Sequence, residues 1–417
     1  RLFSCYKLLC TLFGQMVQRI RGHKLQLYLP QRPMATLLKP VHSYILVKVL
    51  MVAPSVRVPD TLGQTLHQLA LANGLAKSGI EVTLLCRYDE KSSKNIEFHP
   101  NLKFVSIVNP GIPFERIIFT KHAYQKVVNQ LKSEKFDLVH DRGYIFAGSG
   151  LQAASEAGVK SVLQVDDNWM RSELSATKIA KLWPYHEKAI RSCRNQIELA
   201  DGGFTVSSIL RDQISKWNPK AENFSVIQNG YEEDLFNLEA EPLGIKDKLG
   251  LKGKMIVFVG ALGPWHGIKE LGEVAEKNSS INVVVVGGGY GKNMPDVENL
   301  HHIGRLSRQE VPRLLVEADV GLAPYPNVDY GFSPLKIYEY MGCKLPVVAT
   351  LLPSVREATQ GHALLVRPGQ MSDAISKVID NEKLLKELAN SAFLYATKER
   401  TWSRTIEKTI NLYEEIL

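Results

Sequence analysis

The residues with the clearest chemical potential lie in one short segment, 333–339. Serine followed by proline predicts a helix start, with Ser333 as the N-cap and Pro334 in the first helical position. Lys336 would lie in the first turn, where a cation is unfavourable unless an anion is shared with the free backbone N–H groups. Glu339 follows on the same face. The segment predicts a phosphate site beside a carboxylate that could hold a sugar diol, although a surface helix with a Lys–Glu pair would explain it equally well.

Such a segment needs a fold that presents it, and both halves of the chain alternate β-branched runs with helical periodicity. This pattern is typical of parallel sheets covered by helices, and ligands of such sheets bind at the carboxyl ends of the strands. The continuous run Val283–Val286 is typical of a strand buried on both faces. The other predicted strands are Ile45–Val52, Val82–Cys86, Phe104–Val108, Asp137–His140, Ser161–Val165, Gly203–Val206, Met255–Val259, Val320–Ala323 and Val347–Ala349.

The composition indicates two α/β domains. The chain has 417 residues, of which 45% are hydrophobic. This length is enough for two hydrophobic cores and exceeds that of one typical α/β domain. The net charge is +8, but nine basic residues precede the first acid, Asp60. The remainder is nearly neutral, so the charge does not indicate a nucleic-acid-binding face. We place the domain boundary near residue 238, at the start of a loop rich in Pro, Gly and charge.

Residues 1–43 form a basic leader that we expect to be disordered or not native. Its apolar run Leu8–Phe13 is too short to cross a bilayer, and a transit peptide is the alternative. The five cysteines are scattered without metal-ligand spacing, which predicts free thiols in a reducing compartment. After the leader no apolar stretch is long enough to span a membrane. We therefore expect a cytoplasmic protein.

From about residue 45 to its end, the chain resembles the group 1 (family 4) retaining glycosyltransferases with the two-domain GT-B fold. Each matching motif is weak alone, but they occur in order and at the family's spacing. The motifs are Val49–Pro54 with Gly63, Asp137–His140, Ala200–Ser207, Val226–Gly230, Val259–Gly267, Glu317–Val320, Met341–Ala349 and Trp402. The resemblance implies two Rossmann-like domains facing a cleft, an acceptor-binding one at 44–238 and a donor-binding one at 239–401. Residues 402–417 would pack back on the first.

The resemblance also implies a nucleotide-sugar donor site. Glu339 would bind the ribose hydroxyls and Lys336 the diphosphate, and Lys336 would also take part in catalysis. Gly304 resembles the base-contacting turn, and Gly63 would allow close approach of the first helix. The complete predicted donor-binding set is Gly63, Gly260, His266, Gly304, Arg305, Ser333, Pro334, Leu335, Lys336 and Glu339.

Two positions depart from the family pattern. The second glutamate, which the family often carries eight residues before the ribose-binding one, is here Gly331, and the nearest acid is Asp329. A lysine of the glycine-rich loop is replaced by His266. Diphosphate charge would therefore depend on Lys336, backbone N–H groups and His266.

The predicted acceptor side carries two catalytic candidates. The family's histidine-aspartate pair is here Asp166-Asp167, and Asp167 could orient an acceptor hydroxyl or act as base, with helix capping as an equal alternative. His140 is the other candidate, although a buried, hydrogen-bonded histidine is commoner. Basic residues cluster in two helical stretches, of which the first could lie on an anionic membrane, with solvated helix faces as the default interpretation. They comprise Arg116, Lys121, Lys126, Lys132 and Lys135, and Lys178, Lys181, Lys188, Arg191 and Arg194.

We predict a hexosyltransferase that moves a hexose from a nucleotide diphosphate sugar to a hydroxyl of a lipid, glycan or small molecule, with retention. We expect neither a cofactor nor a metal, since no ligand cluster has suitable spacing. A nucleotide-sugar epimerase and a catalytically silent nucleotide-sugar-binding subunit are the alternatives. A dinucleotide-dependent oxidoreductase is disfavoured, because Lys292 stands where the last glycine of the fingerprint belongs.

Overall fold

The computed structural model describes residues 47–60, 63–93, 96–107, 115–169, 183–263, 266–289, 294–327 and 330–417. The predicted leader at residues 1–43 lies outside the described residues.

The first domain is built on a parallel sheet of seven described strands in the order β3-β2-β1-β4-β5-β6-β7. Its strands are β1 (Lys48–Val58), β2 (Glu81–Tyr88), β3 (Leu102–Ser106), β4 (Leu138–Arg142), β5 (Lys160–Val165), β6 (Gly202–Thr205) and β7 (Ser225–Val226). The β-branched runs of the sequence form its centre, and residues 49–53 are buried between helices on both sides. The predicted parallel α/β fold is confirmed.

Strand β1 is longer than the sequence predicts. The predicted strand ends at Val52, but the observed strand continues to Val58 after a shift in its pairing with β2 between Val52 and Arg57. Proline has no N–H to give to the ladder, so the pairing is interrupted there. The strand resumes because Val56 and Val58 are both fully buried.

The helices of this domain are α1 (Gly63–Lys77), α2 (Glu115–Ser133), α3 (Ser149–Ala157), α4 (Trp183–Leu199) and α5 (Ser208–Ile214). Helix α1 buries Leu71 and Leu75 against the sheet, which is the helical spacing seen in the sequence. It ends at Lys77, and Gly79 follows with a φ of 95°, in the left-handed region that commonly terminates helices.

The second domain is a parallel sheet of six described strands in the order β10-β9-β8-β11-β12-β13. Its strands are β8 (Lys254–Val259), β9 (Ile281–Val286), β10 (Leu300–His302), β11 (Val320–Ala323), β12 (Val347–Thr350) and β13 (Leu364–Val366). In β9, Val284 and Val286 pack in one hydrophobic cluster, and Val283 and Val285 pack in another. The predicted burial of this valine run on both faces is therefore confirmed.

Eight helices are described after β7. They are α6 (Ile245–Lys248), α7 (Ile268–Lys277), α8 (Glu310–Leu315), α9 (Leu335–Gly342), α10 (Pro353–Thr359), α11 (Met371–Val378), α12 (Glu382–Glu399) and α13 (Trp402–Ile416). The predicted domain boundary near residue 238 falls between β7 and β8.

The last helix returns to the first domain, as predicted. At the crossing, the backbone N–H of Tyr231 donates to the Arg400 carbonyl at 2.8 Å, and that of Trp402 donates to the Tyr231 carbonyl at 3.1 Å. Helix α13 then packs along α1, where a side chain in place of Gly74 would collide with Ile406. This close contact explains why a glycine occurs in the middle of α1 despite its cost there.

Candidate active site

The carboxyl ends of the two central strands of the second sheet mark the expected place for a ligand. The strand order reverses between β8 and β11, because β9 and β10 lie on one side and β12 and β13 on the other. Loops that leave neighbouring strands in opposite directions open a crevice at such a point. Gly260 follows β8 and Pro324 follows β11, so their loops border this crevice.

Helix α9, which carries the predicted anion site, begins one residue later than the sequence predicts. Pro334 occupies the N-cap position, and no side chain caps the helix. The Ser333 Oγ instead accepts a hydrogen bond from the backbone N–H of Asn229 at 3.2 Å and lies 3.1 Å from the Tyr338 hydroxyl. The predicted capping by Ser333 and the first helical position of Pro334 are therefore wrong, because Ser333 connects the helix to the first domain.

Lys336 lies in the first turn of α9, as predicted, and its Nζ atom is buried. Among the described residues it has no hydrogen-bond partner, and it lies 4.0 Å from the centre of the Phe258 ring. A Cβ at Gly260 would come within 2.8 Å of this nitrogen. Burial lowers the pKa of Lys336 to about 7, although Glu339 acts to raise it. A buried ammonium without a hydrogen-bond partner is costly, and a bound anion at the crevice would reduce that cost.

His266 lies beside Lys336 at the end of the same crevice. Its Nδ1 is hydrogen-bonded to the Ala261 carbonyl, so the neutral ring carries its proton on that nitrogen. Burial, together with the nearby Lys336, lowers the pKa of His266 to about 3. Gly267, which follows, has a φ of 61°, and a side chain there would collide with the Pro324 carbonyl. The structure thus brings His266 to Lys336 as expected, but as a neutral ring.

Glu339 lies one turn after Lys336 and is 6% exposed. Its Oε1 accepts a hydrogen bond from Arg308 Nη1 at 2.6 Å, and Arg308 also forms an ion pair with Glu232. Arg308 and Glu232 were not predicted from the sequence, because they lie 31 and 107 positions before Glu339, in loops without a recognisable motif. The predicted ribose-binding carboxylate is thus held by a guanidinium.

The remaining predicted donor residues border the same loops or lie apart from them. The backbone N–H of Gly287 donates to the Gly304 carbonyl at 2.8 Å, so the turn after β10 lies beside the end of β9. The exposed Arg305 folds over Gly288, where a side chain would collide with its guanidinium. Gly63 begins α1 in the first domain, and a Cβ there would meet nothing within 4 Å, so packing does not require a glycine. The donor-binding roles of these residues stay predictions.

At the carboxyl edge of the first sheet, Asp166 is held by three side chains. Its Oδ2 accepts from Arg142 Nε at 2.6 Å, and its Oδ1 accepts from Gln164 Nε2 at 2.8 Å and lies 3.6 Å from His67 Nδ1. Burial acts to raise the pKa of Asp166, but His67 and Arg142 outweigh it and the pKa is lowered. Asp167 is half-buried, and its catalytic role stays a prediction.

His140 lies inside the first domain. It is 1% exposed, its Nε2 lies 2.8 Å from Gln164 Oε1, and its Nδ1 is hydrogen-bonded to the Tyr413 hydroxyl of α13. Burial lowers the pKa of His140 to about 4, so the ring is neutral at pH 7. This environment is the buried, hydrogen-bonded histidine that the sequence left open as the alternative to catalysis. His140 connects α13 to the Asp166 cluster through Gln164.

The two edges meet at Gly331, the position where the family often has its second glutamate. The Ser207 Oγ donates to the Gly331 carbonyl at 2.9 Å. Gly331 has a φ of 73°, and a Cβ there would lie 2.7 Å from the Leu210 Cα. A glutamate would therefore force the domains apart at this point, which gives the departure from the family pattern a structural reason.

A cavity of about 560 Å³ lies between α5 of the first domain and α10 of the second. Its polar lining comes from Ser208, Arg356, Glu357 and Gln360, and Glu357 accepts hydrogen bonds from both the backbone N–H and the hydroxyl of Ser208. Neither Lys336 nor Glu339 lines it. The cavity is therefore a second space between the domains, separate from the crevice at Gly260.

Some sequence predictions cannot be located. Asp329, Lys178, Lys181 and Lys292 lie outside the described residues, as does the side chain of Arg116. Within the described ranges, no three His, Cys, Asp or Glu side chains are grouped so that they could hold a metal ion. In the same ranges, no helix is long and apolar enough to cross a bilayer.

Comparison with known families gives two matches that follow each other along the chain. Residues 62–235 match the model of Glycosyltransferase Family 4, and residues 253–381 match the model of Glycosyl transferases group 1. The two matches divide the chain at the same place as the two sheets, between β7 and β8.

Comparison with individual proteins and solved structures gives matches along most of the chain. The chain is 26% identical to an uncharacterized glycosyltransferase of Methanocaldococcus jannaschii over 89% of its own length and 99% of the relative's. Among solved structures, it is similar to the sucrose-phosphate synthase of Thermosynechococcus elongatus, with a TM-score of 0.71, 17% identity and coverage of 88% and 98%. It is also similar to Anabaena HepE in complex with UDP-glucose, with a TM-score of 0.67, 16% identity and coverage of 88% and 99%. At these identities the structures show a shared fold.

Proposed function

The chain belongs to the group 1 glycosyltransferases with the GT-B fold, and from this premise we propose that it transfers a hexose from a nucleotide diphosphate sugar to a hydroxyl, with retention of the anomeric configuration. The observation that carries the proposal is the buried Lys336 ammonium, which has no partner among the described residues and borders Gly260 at the strand-order reversal. A diphosphate would supply anionic oxygens that accept hydrogen bonds from the Lys336 ammonium. HepE, a protein of the same fold, was solved with UDP-glucose.

The departing diphosphate is the group that the site would stabilise. Negative charge develops on it as the bond to the sugar breaks. In this proposal Lys336 and the first backbone N–H groups of α9 would face this charge, and its arrival would also favour the protonated form of His266. We propose that these groups act without a metal or another cofactor. Full transfer activity after exhaustive chelation is the expected result.

Retention is proposed to follow front-face attack, in which the acceptor hydroxyl approaches on the side that the diphosphate leaves. This route needs no enzymic nucleophile. The acceptor would enter from the carboxyl edge of the first sheet, where Asp166 is held by Arg142 and Asp167 follows it. A carboxylate here would orient the hydroxyl. A lipid acceptor, with the exposed Lys188 and Arg191 of α4 against an anionic membrane, is the version of this proposal to test first.

The proposal is tested by incubating the protein with UDP-, GDP- and ADP-hexoses, with and without a lipid extract, and measuring nucleotide release and the anomeric configuration of the product. One donor should release its nucleotide only when the extract is present, and the Lys336→Met and Glu339→Gln variants should not release it. Release unchanged in both variants would contradict the proposal.

Two other results have their own meaning. Conversion of the donor sugar without any acceptor would identify an epimerase. Binding of a donor without release under any condition would identify a silent nucleotide-sugar-binding subunit. Both functions would use the same crevice, so the reaction products decide between them.

A further inference from the structure

Glu339 does not stand alone in the crevice but belongs to a cluster of three charged side chains. Arg308, in the loop between β10 and α8, donates from Nη1 to Glu339 Oε1 at 2.6 Å. The same guanidinium donates from Nε at 3.1 Å and from Nη2 at 2.8 Å to Oε1 of Glu232. Its carbon lies 4.4 Å from the centre of the Phe236 ring. Arg308 is therefore fixed on three sides.

The two residues that hold Arg308 beside Glu339 belong to the segment that joins the domains. Glu232 and Phe236 follow Tyr231, which forms the crossing with Arg400 and Trp402. The linker thus supports Arg308, and Arg308 in turn supports Glu339.

Two carboxylates share the Arg308 guanidinium, and the Lys336 ammonium, which interacts with Glu339, balances the remaining negative charge. Burial acts to lower the pKa of Arg308, but Glu339 and Glu232 outweigh it and the pKa is raised, so the guanidinium stays charged. Ion pairs of this kind contribute little net stability in general. Stability alone therefore does not account for the cluster.

The geometry leaves Glu339 able to accept hydrogen bonds from hydroxyl donors. In the part of the chain that the structure describes, only its Oε1 has a side-chain partner, Arg308. A carboxylate offers about four lone-pair positions on its two oxygens. Oε2 and the second position of Oε1 could therefore accept from two neighbouring hydroxyls.

We propose that Arg308 is a positioning residue, which fixes the Glu339 carboxylate so that it accepts both the 2′- and 3′-hydroxyls of the donor ribose, and that Glu232 fixes Arg308. The inference deepens the proposed function and rests on it. It makes the linker between the domains part of the selection for nucleotides that carry both ribose hydroxyls.

The experiment compares the binding of a nucleoside diphosphate and of its 2′,3′-dideoxy counterpart by calorimetry. UDP and 2′,3′-dideoxy-UDP are used, with the guanosine and adenosine pairs in parallel. The proteins are the wild type, Arg308→Gln, Arg308→Lys, Glu232→Gln and the control Arg313→Gln. Arg313 lies nearby on α8, is half-buried and donates to the Glu241 carbonyl instead of a carboxylate. The melting temperature of each variant reports on its folding.

The wild type should prefer the ribonucleotide by roughly 10- to 100-fold, the effect of hydrogen bonds to a charged group. Arg308→Gln should lose most of this preference, by weakening ribonucleotide binding while leaving dideoxynucleotide binding unchanged. Arg308→Lys should retain part of the preference, Glu232→Gln should lose a smaller part, and Arg313→Gln should match the wild type.

Three results would overturn the inference. Equal weakening of both nucleotides in Arg308→Gln would show that Arg308 supports the fold or contacts another part of the ligand. A preference retained in Arg308→Gln would show that Glu339 needs no positioning. Equal binding of both nucleotides by the wild type would remove the ribose role of Glu339 while leaving nucleotide binding intact. Failure of the wild type to bind any nucleotide would instead refute the proposed function itself, and the inference with it.

Discussion

The two carboxyl edges that form the cleft differ in how their charged groups are satisfied. On the edge of the first domain, Asp166 is surrounded by Arg142, Gln164 and His67, and the chain of contacts continues through His140 to Tyr413. On the edge of the second domain, the Lys336 ammonium has no partner among the described residues. The Asp166 carboxylate of the first edge is held by side chains of the protein, whereas the Lys336 ammonium of the second edge has no hydrogen-bond partner among the described residues.

This difference separates the work of the two domains. An uncompensated buried cation makes the free protein less stable and makes anion binding more favourable, so the second domain is prepared for a diphosphate. A satisfied network holds its side chains in fixed positions, so the first domain offers a rigid surface on which an acceptor can be oriented.

Replacing the unpartnered cation should have the largest effect on activity. Lys336→Met should lower kcat/KM for transfer by roughly 10²- to 10³-fold, the usual cost of losing one group that stabilises developing charge. The exposed Lys269→Met on α7 is the control and should retain full activity. Steady-state kinetics with the identified donor check this, and a loss below threefold would show that Lys336 does not face the diphosphate.

Breaking the satisfied network should mainly lower stability. Asp166→Asn should reduce the free energy of unfolding by about 3 kcal/mol, because Arg142 is left as a buried charge without its partner. Asp212→Asn, at a side chain that is 69% exposed, should reduce it by less than about 1 kcal/mol. Urea unfolding of both variants measures the difference, and equal effects would show that Arg142 does not depend on Asp166 as its partner.

The contact between the two edges can be tested at Gly331. Gly331→Ala should destabilise the protein by about 3 kcal/mol, since it combines the strain of a positive φ with a collision against the Leu210 backbone. Gly361→Ala is the matched control, because Gly361 has a φ of 85° but no atom within 4 Å of a Cβ. It should cost about 1 kcal/mol. Equal melting temperatures for the two variants would show that the contact with Leu210 does not exclude a glutamate at position 331.

The pH dependence of donor binding should report the unpartnered lysine. The pKa of Lys336 in the free protein is about 7, and a bound diphosphate would raise it, so affinity is full below pH 7 and decreases as pH rises above it. We expect roughly a tenfold loss in affinity for a sugar nucleotide between pH 7 and 8.5. His266, with a pKa of about 3, does not titrate in this window.

Calorimetry at several pH values measures this dependence. The Lys336→Met variant should bind weakly but with the same affinity at each pH. A pH dependence retained in that variant would assign the titration to another group.

The smallest effect is expected at Ser207, which caps α5 by accepting from the Leu210 backbone N–H at 3.1 Å and donates to Gly331. Ser207→Ala should cost about 1 kcal/mol. The Asn381→Ala variant, which removes the N-cap of α12, is the control for loss of a cap alone. If thermal unfolding shows a clearly larger loss of stability for Ser207→Ala than for Asn381→Ala, the difference measures the contribution of the hydrogen bond between Ser207 and Gly331.

The sequence predicts the fold well because hydrophobic periodicity determines it. The valine run of β9, the helix from Gly63 and the return of α13 all follow from patterns confined to neighbouring residues or from family motifs. The exceptions arise where local rules compete with tertiary contacts. Ser333 has every local feature of an N-cap, but its hydroxyl is used by Asn229 of the other domain.

The candidate site is only partly readable from the sequence. Lys336 and Glu339 stand out because their spacing places them on one face of a helix. Arg308 and Glu232 do not, because the contacts that give them a role join loops distant in the chain. The network around Asp166 likewise depends on Arg142. The two residues come close because β4 lies beside β5 in the sheet.

The most direct test of the central claim is a crystal structure of the protein with the nucleoside diphosphate that binds it. We expect the diphosphate within hydrogen-bond distance of Lys336 Nζ and the backbone of Gly260, and the ribose hydroxyls on Glu339 with Arg308 still in place. A nucleotide bound elsewhere, with Lys336 still buried against Phe258 and without a partner, would contradict it.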